Sequence, residues 1–169
     1  MKTRLFISTL ALITSFSTSS YAQATATATA TATIVSPISI IKNTDMSFGN
    51  IAVQAATGGT VVLAPAGTRT STSGVTLPAT TGTVTAAAFT VNGTGTYTYA
   101  ITLPSTATLT RASGSETMIA SSFTSNPSGT GALSSGTQDI AVGATLTVAA
   151  SQVSGVYTSG NFNVTVNYN

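Results

Sequence analysis

The feature that most constrains this chain is a two-residue period, broken at short intervals by turn residues. In FTVNGTGTYTYAITLP, Phe89 and Val91 lead into Asn92-Gly93. Then Tyr97, Tyr99, Ile101 and Leu103 fall on one face while Thr98, Ala100 and Thr102 fall on the other. Successive side chains of a strand point to opposite faces, so this alternation makes one apolar and one polar surface. An Asn-Gly pair between two such runs is a strong short-range cue for a hairpin. The same grammar recurs in GTVVLAP, SETMIASSF, TQDIAVGATLTVAA and the ending NFNVTVNYN, where Phe162, Val164, Val166 and Tyr168 share a face.

Helix is disfavoured almost throughout. Thr, Ser, Gly and Val dominate, and no segment repeats apolar residues at three and four. One exception, VAASQVSG, is expected to form a short helical turn before the last strand. Turn signals fall at Gly58-Gly59, Pro65-Ala66-Gly67, Ser73-Gly74, Asn92-Gly93, Ser113-Gly114, residues 128–131 and Ser135-Gly136. This spacing predicts roughly eight to ten strands in an immunoglobulin-like antiparallel β-sandwich, an all-β fold.

The N-terminus reads differently. MKTR carries Lys2 and Arg4, LFISTLALITSFS is uncharged and apolar, and SSYAQA offers small residues for cleavage after Ala22 or Ala24. That is the three-part pattern of a secretory signal peptide, residues 1–22. The apolar run is well short of the ~20 residues a spanning helix needs, and no later segment reaches that length. The mature chain is therefore expected to be exported without a transmembrane segment, through the periplasm to the cell surface or beyond.

Cleavage would leave about 145 to 147 of the 169 residues, one domain's worth. A chain of that size buries roughly 68–70% of its unfolded surface and can build a core without staples. It has to, because there is no cysteine, which excludes disulfides and cysteine-ligated metal. A hydrophobic fraction of 42% with only 5% charged residues argues for packing rather than disorder.

The formal charge of +2 and the pI of about 9.2 belong to the precursor. Without Lys2 and Arg4, the cations Lys42, Arg69 and Arg111 face Asp45, Glu116 and Asp139, and the net charge is zero. Nothing in that balance supports a nucleic-acid or anionic-membrane partner. So little repulsion between copies favours self-association.

The inventory for chemistry is nearly empty. With no histidine or cysteine, there is no Ser-His-Asp or Cys-His arrangement and no imidazole-ligated zinc. A glycosidase needs two carboxylates across a cleft, and Asp45, Glu116 and Asp139 lie in three separate segments. Asp45, beside Asn43 and Thr44, reads as a turn at a strand start. Nothing around Asp139 resembles a carboxylate-rich calcium loop, and the Gly-rich pieces lack the lysine of a phosphate loop. No catalytic residue, cofactor or metal is expected. The sequons at Asn92 and Asn163 read as turn and strand residues, and Tyr97 and Tyr99, in phase with Ile101 and Leu103, as core rather than a sugar-stacking surface.

Between signal and sandwich, Ala and Thr alternate without a break over residues 24–33. No period of 20 to 50 residues occurs elsewhere, so the organisation expected is an arm, residues 23–33, followed by one domain, residues 34–169. Extended, residues 24–33 span about 33 Å at ~3.3 Å per residue. Ala24, Ala26, Ala28, Ala30 and Ala32 then lie on one face, which Ile34, Ile38 and Ile40 continue.

Several segments together carry a resemblance. The Ala/Thr-rich lead, TIVSPISIIKNTDMSFGNIAV, VVLAPAGTRTSTSGVTLP and VGATLTVAASQVSGVYTSGNFNVTVNYN resemble an uncharacterised bacterial secreted domain family, itself similar to spore-coat-U-like domains and chaperone-usher pilins. Ser47-Phe48-Gly49-Asn50 is similar to the element that follows the first strand in pilin-like domains, and Gly155-Val156-Tyr157 with the strand ending at Tyr168 to their closing pattern. The resemblance implies a pilin-like sandwich lacking one strand, with the last strand, through Phe162, Val164, Val166 and Tyr168, bordering an open groove. It also implies the partners: related subunits whose N-terminal arm fills the groove, and a periplasmic chaperone and outer-membrane usher in assembly. The cysteine pair of many pilins is absent here.

As a donor strand the arm is weak. Bulky apolar side chains are worth ~1.5–3 kcal/mol each when buried and an Ala methyl well under half of that. A slip of two residues also leaves the repeat unchanged, so Ile34 and Val35 must set its register. The arm has two readings, a donor to a neighbour or a leading extension of its own first strand. For the whole chain the leading expectation is a non-enzymatic structural subunit of a surface fibre or coat, with a possible part in adhesion. The others are a self-contained binding module for glycans or a surface partner, and a hydrolase using Asp45, Glu116 or Asp139.

Overall fold

The computed structural model describes residues 22–169, which form strands and turns and no helix. The expected signal peptide, residues 1–22, lies outside the described residues except for Ala22. The chain divides into two units, Met1–Thr33 and Ile34–Asn169. In the first, residues 22–33 form no strand and each is exposed.

The second unit is all-β and antiparallel. Its strands are β1 (Ser39–Thr44), β2 (Ser47–Phe48), β3 (Ala52–Val53), β4 (Gly59–Leu63), β5 (Arg69–Ser71), β6 (Val75–Thr76), β7 (Val84–Thr85) and β8 (Ala87–Asn92), then β9 (Thr98–Thr102), β10 (Thr106–Arg111), β11 (Thr117–Asn126), β12 (Thr130–Ala132), β13 (Thr137–Val148), β14 (Tyr157–Ser159) and β15 (Thr165–Tyr168). These outnumber the strands expected because alternating runs are cut where they change partner. The first run is the clearest case: β1 pairs with β8, β2 with β7 and β3 with β6. One cut falls at Gly49, whose φ of 68° and closeness to Thr81 O, 2.4 Å from where a Cβ would stand, exclude a side chain.

The principal sheet runs β1-β8-β13-β11-β10-β14, with β4 on β13 and β5 on β4, and a second sheet runs β12-β9-β15. β13 organises both halves. Along one edge it pairs with β8 over Thr137–Val142 and then with β4 over Ala144–Val148, while β11 lines its other edge. Gly143 stands at the changeover, where a Cβ would come 2.1 Å from Leu63 O. Its even-numbered side chains, Ile140, Val142, Ala144, Leu146 and Val148, all point inward. The first two join Phe89, Val91, Tyr99, Val164 and Val166 between the two sheets. The others join Phe48, Val61, Leu63, Val75 and Ala120 in a second core. In β11 a register shift between Ser121 and Thr124, with Ser122 at φ 48°, resets the phase. Inward positions therefore move from Met118 and Ala120 to Phe123 and Ser125.

Two local expectations are corrected. Asn92-Gly93 does not make a hairpin, since β8 pairs with β1 and β13 while β9 belongs to the other sheet. Neither residue has the positive φ of a type I′ turn, and the pair instead forms a corner between sheets. Gly93 N–H bonds to Gly136 O at 2.8 Å, and a Cβ on Gly93 would lie 2.2 Å from Tyr168 Oη. The tight two-residue turn is Ser135-Gly136, with φ of 53° and 84° and a bridge between Ser134 and Thr137. VAASQVSG forms no helix. A turn at Ala150-Ser151, with Ser151 at φ 52°, ends β13 there, because a residue in the left-handed region cannot continue a helix. Tyr99 is fully buried, as its phase predicts, whereas Tyr97 at the start of the run is half exposed and tilts against Tyr168 with ring centroids 5.7 Å apart.

Candidate functional site

Two strand edges face each other across the cores without a further partner strand among the described residues. β1 pairs only with β8 and β14 only with β10. Between them opens a cavity of about 620 Å³, lined by Ile40, Met46 and Phe48 on one side, by Leu109 and Phe123 at the floor, and by Phe162 and Val164 on the other side. Tyr157, Thr158 and Ser159 of β14 line it too. β14 and β1 are opposite ends of the principal sheet, so the sheet curls until its ends face one another across this opening.

The opening continues. Met46, Phe48, Leu109 and Tyr157 also line a second cavity of about 660 Å³, which runs on past Ile51, Val53, Met118, Val148 and Val156. The two together make a groove over both cores. Large apolar side chains at its floor follow from the inward phase of β10 and β11, in which Leu109 is opposite Met118 and Ala107 opposite Ala120.

Each wall is fixed by hydrogen bonds the sequence arranges locally. On the first, Arg69 of β5 donates to the carbonyls of Phe48, of Asn50 at 2.8 Å and of Thr81 at 3.4 Å. Asn50 N–H adds a bond to Thr81 O at 2.7 Å. This is the physical role of Ser47-Phe48-Gly49-Asn50: a glycine corner clamped by an arginine, with Phe48 turned into the core. On the second wall, Tyr157 donates through its hydroxyl to Val153 O at 2.6 Å and accepts from Gln152 Nε2 at 2.8 Å. Phe162 is held against Phe123 at 5.3 Å between ring centroids.

Of the C-terminal residues singled out, Phe162 and Val164 line the first cavity. Val166 is buried in the first core and Tyr168 packs against it, with its hydroxyl between Thr94 N and Ser36 O. Ala24, Ala26, Ala28, Ala30 and Ala32 are exposed and in no strand, and Ile34 is 97% exposed. Sequence reasoning did not find the Arg69 clamp or the floor residues Leu109 and Met118, although the alternation in TATLTR carried the signal for Leu109.

The carboxylates are engaged one by one. Asp45 pairs with Lys42 at 2.6 Å on the groove rim, Asp139 accepts from Thr90 Oγ1 at 2.7 Å, and Glu116 meets Arg111 through bonds of 2.7 and 3.2 Å across the β10–β11 turn. The bonds from Arg111 hold the Glu116 carboxyl below the usual glutamate range and raise the guanidinium. Burial pushes the Tyr99 hydroxyl up. Among the described residues no three His, Cys, Asp or Glu side chains converge for a metal ion, and no helix is long and apolar enough to cross a membrane.

Free N–H and C=O groups along two strand edges invite a further strand, and the floor accepts alternate side chains. No curated protein and no solved structure matches the chain. A family model described as a domain of unknown function, DUF4402, matches residues 38–168. That span takes in every strand of the second unit from Ser39 to Tyr168, and the chain belongs to the DUF4402 family.

Proposed function

We propose that the chain is a non-enzymatic, exported structural subunit of a bacterial surface fibre or coat, an immunoglobulin-like and pilin-like domain joined to its neighbours by strand addition. The observation that carries this reading is the groove between the unpartnered edges of β1 and β14, walled by Phe48 and floored by Leu109 and Phe123. The exposed, uncharged, alternating segment at residues 24–33 is the donor, and Ile34 is its one large side chain in phase with the alanines. A donor strand bonding both edges would remove two exposed strand edges at once, the liability that single domains otherwise blunt with charge or proline. In transit, a periplasmic chaperone would cover the same groove and an outer-membrane usher would exchange it for the next arm.

Size-exclusion chromatography of the chain from Gln23, with and without residues 24–33, tests this reading. The intact chain is expected to form polymers and the deletion a folded monomer. Unchanged assembly by the deletion overturns the donor assignment, and a stable intact monomer that accepts no added arm peptide favours a self-contained binding module instead.

A further inference from the structure

We infer that the joint between copies is register-degenerate: residues 24–33 of one copy seat in the groove of the next at several positions two residues apart, so the contact slides by steps without parting. This deepens the strand-addition reading and rests on it. The first premise is the arm itself. Ala24 to Ala32 occupy one face and the threonines the other, with no larger side chain to mark a place, so a shift of two residues superposes the segment on itself. A shift of one would turn threonines to the core and is excluded by the same alternation.

The second premise is the pattern offered by the groove. Hydrogen-bonding positions along a strand edge recur every two residues, so a two-residue shift re-forms the ladder bonds available at the edges of β1 and β14. The floor adds no lock. Its large residues, Leu109 and Phe123, like Met46 and Phe48 on the wall, belong to the receiving domain, and successive Ala methyls present them with the same shape at every step. What stops the travel is Ile34, which enters the groove at the end of the repeat and which the domain leaves 97% exposed. One step is about 6.6 Å, twice the rise of a strand residue. A fibre of such joints yields length under tension and recovers it.

The absence of cysteine gives a clean test. Thr158 of β14 is exposed, lines the first cavity, and lies opposite Thr110, out of phase with the inward Leu109. In the full-length exported protein, Thr158→Cys is combined with a single cysteine at Thr27, Ala28, Thr29, Ala30 or Thr31, and disulfides between copies are quantified after mild oxidation. A disulfide forms only between residues directly opposed, so yield reports register. The expected result is comparable yield at Thr27, Thr29 and Thr31 and loss at Ala28 and Ala30. Adding Ala26→Val to the same arm should collapse the yield to a single threonine position. A single position in the natural arm overturns the degenerate joint but leaves strand addition standing. Equal yield at Ala and Thr positions also overturns it, as a mere tether, and no disulfide between copies from any position overturns both readings.

Discussion

The hydroxyl of Tyr168 accepts a hydrogen bond from the backbone N–H of Thr94 at 2.8 Å. It also donates to Ser36 O at 3.1 Å, while Ser36 N–H bonds to Thr94 Oγ1 at 2.9 Å. One side chain of the last strand thus ties the lead-in to β1 to the corner between β8 and β9. Tyr168→Phe keeps the ring packing on Tyr97 but leaves Thr94 N–H unpaired and part-buried. The expected cost is about 1–2 kcal/mol, read by chemical denaturation, and amide exchange at Thr94 should accelerate. Gly93→Ala should cost more than Tyr168→Phe, because its Cβ would stand 2.2 Å from the same hydroxyl and 2.8 Å from Leu133 Cδ1. A Gly93→Ala variant as stable as the natural chain would refute the close approach.

At the margin of the first core, Gln138 Oε1 accepts from Tyr99 Oη at 2.7 Å and from Ala132 N at 2.8 Å. Removing the two partners is not equivalent. Tyr99→Phe leaves Gln138 one bond and no buried orphan, for an expected cost of about 1 kcal/mol. Gln138→Leu strands the fully buried Tyr99 hydroxyl, while the exposed Ala132 N–H turns to water, for about 1–3 kcal/mol. Thermal unfolding of the two variants in parallel should rank them in that order, and the reverse order would contradict the network.

These residues also show how far the sequence could be read. The phase of Tyr99, Ile101, Val164 and Val166 was legible, because period two assigns each side chain a face before any partner is known. Partner choice was not. Asn92-Gly93 carries the local signal of a hairpin, yet Tyr168, distant in the chain, takes the corner, and the closed turn falls at Ser135-Gly136. The groove was half visible: Phe162 and Val164 stood out by alternation. Its floor depends on which strand lies opposite which, and its first wall on an arginine whose partners are backbone carbonyls with no mark in the sequence.

The β10–β11 turn titrates. Hydrogen bonds from Arg111 lower the folded-state pKa of Glu116 below its unfolded value. The contribution is therefore present at neutral pH, above the unfolded pKa, and is lost as pH falls through the folded one. Melting curves recorded from neutral into acid pH should show the natural chain losing more stability than Glu116→Gln, which carries no titrating group there. Parallel curves would mean that the pair, half open to solvent, contributes nothing measurable.

The Arg69 clamp connects stability to the groove. Its guanidinium donates to the carbonyls of Phe48, Asn50 and Thr81, and Asn50 N–H bonds to Thr81 O at 2.7 Å. Arg69→Met keeps the apolar stem and removes the donors. Since hydrogen bonds from a charged group are worth about 1.5–3 kcal/mol, a global loss of that order is expected. The loss should be local first: amide exchange at Asn50 should accelerate more than at Val61 or Leu146, in the centre of the second core. Because Phe48 lines both cavities, a loosened wall should also weaken polymer formation by the chain from Gln23, while Asp139→Asn, on β13 outside both cavities, leaves assembly unchanged. Equal effects of the two substitutions on assembly would separate the clamp from the groove and leave Arg69 a contributor to stability alone.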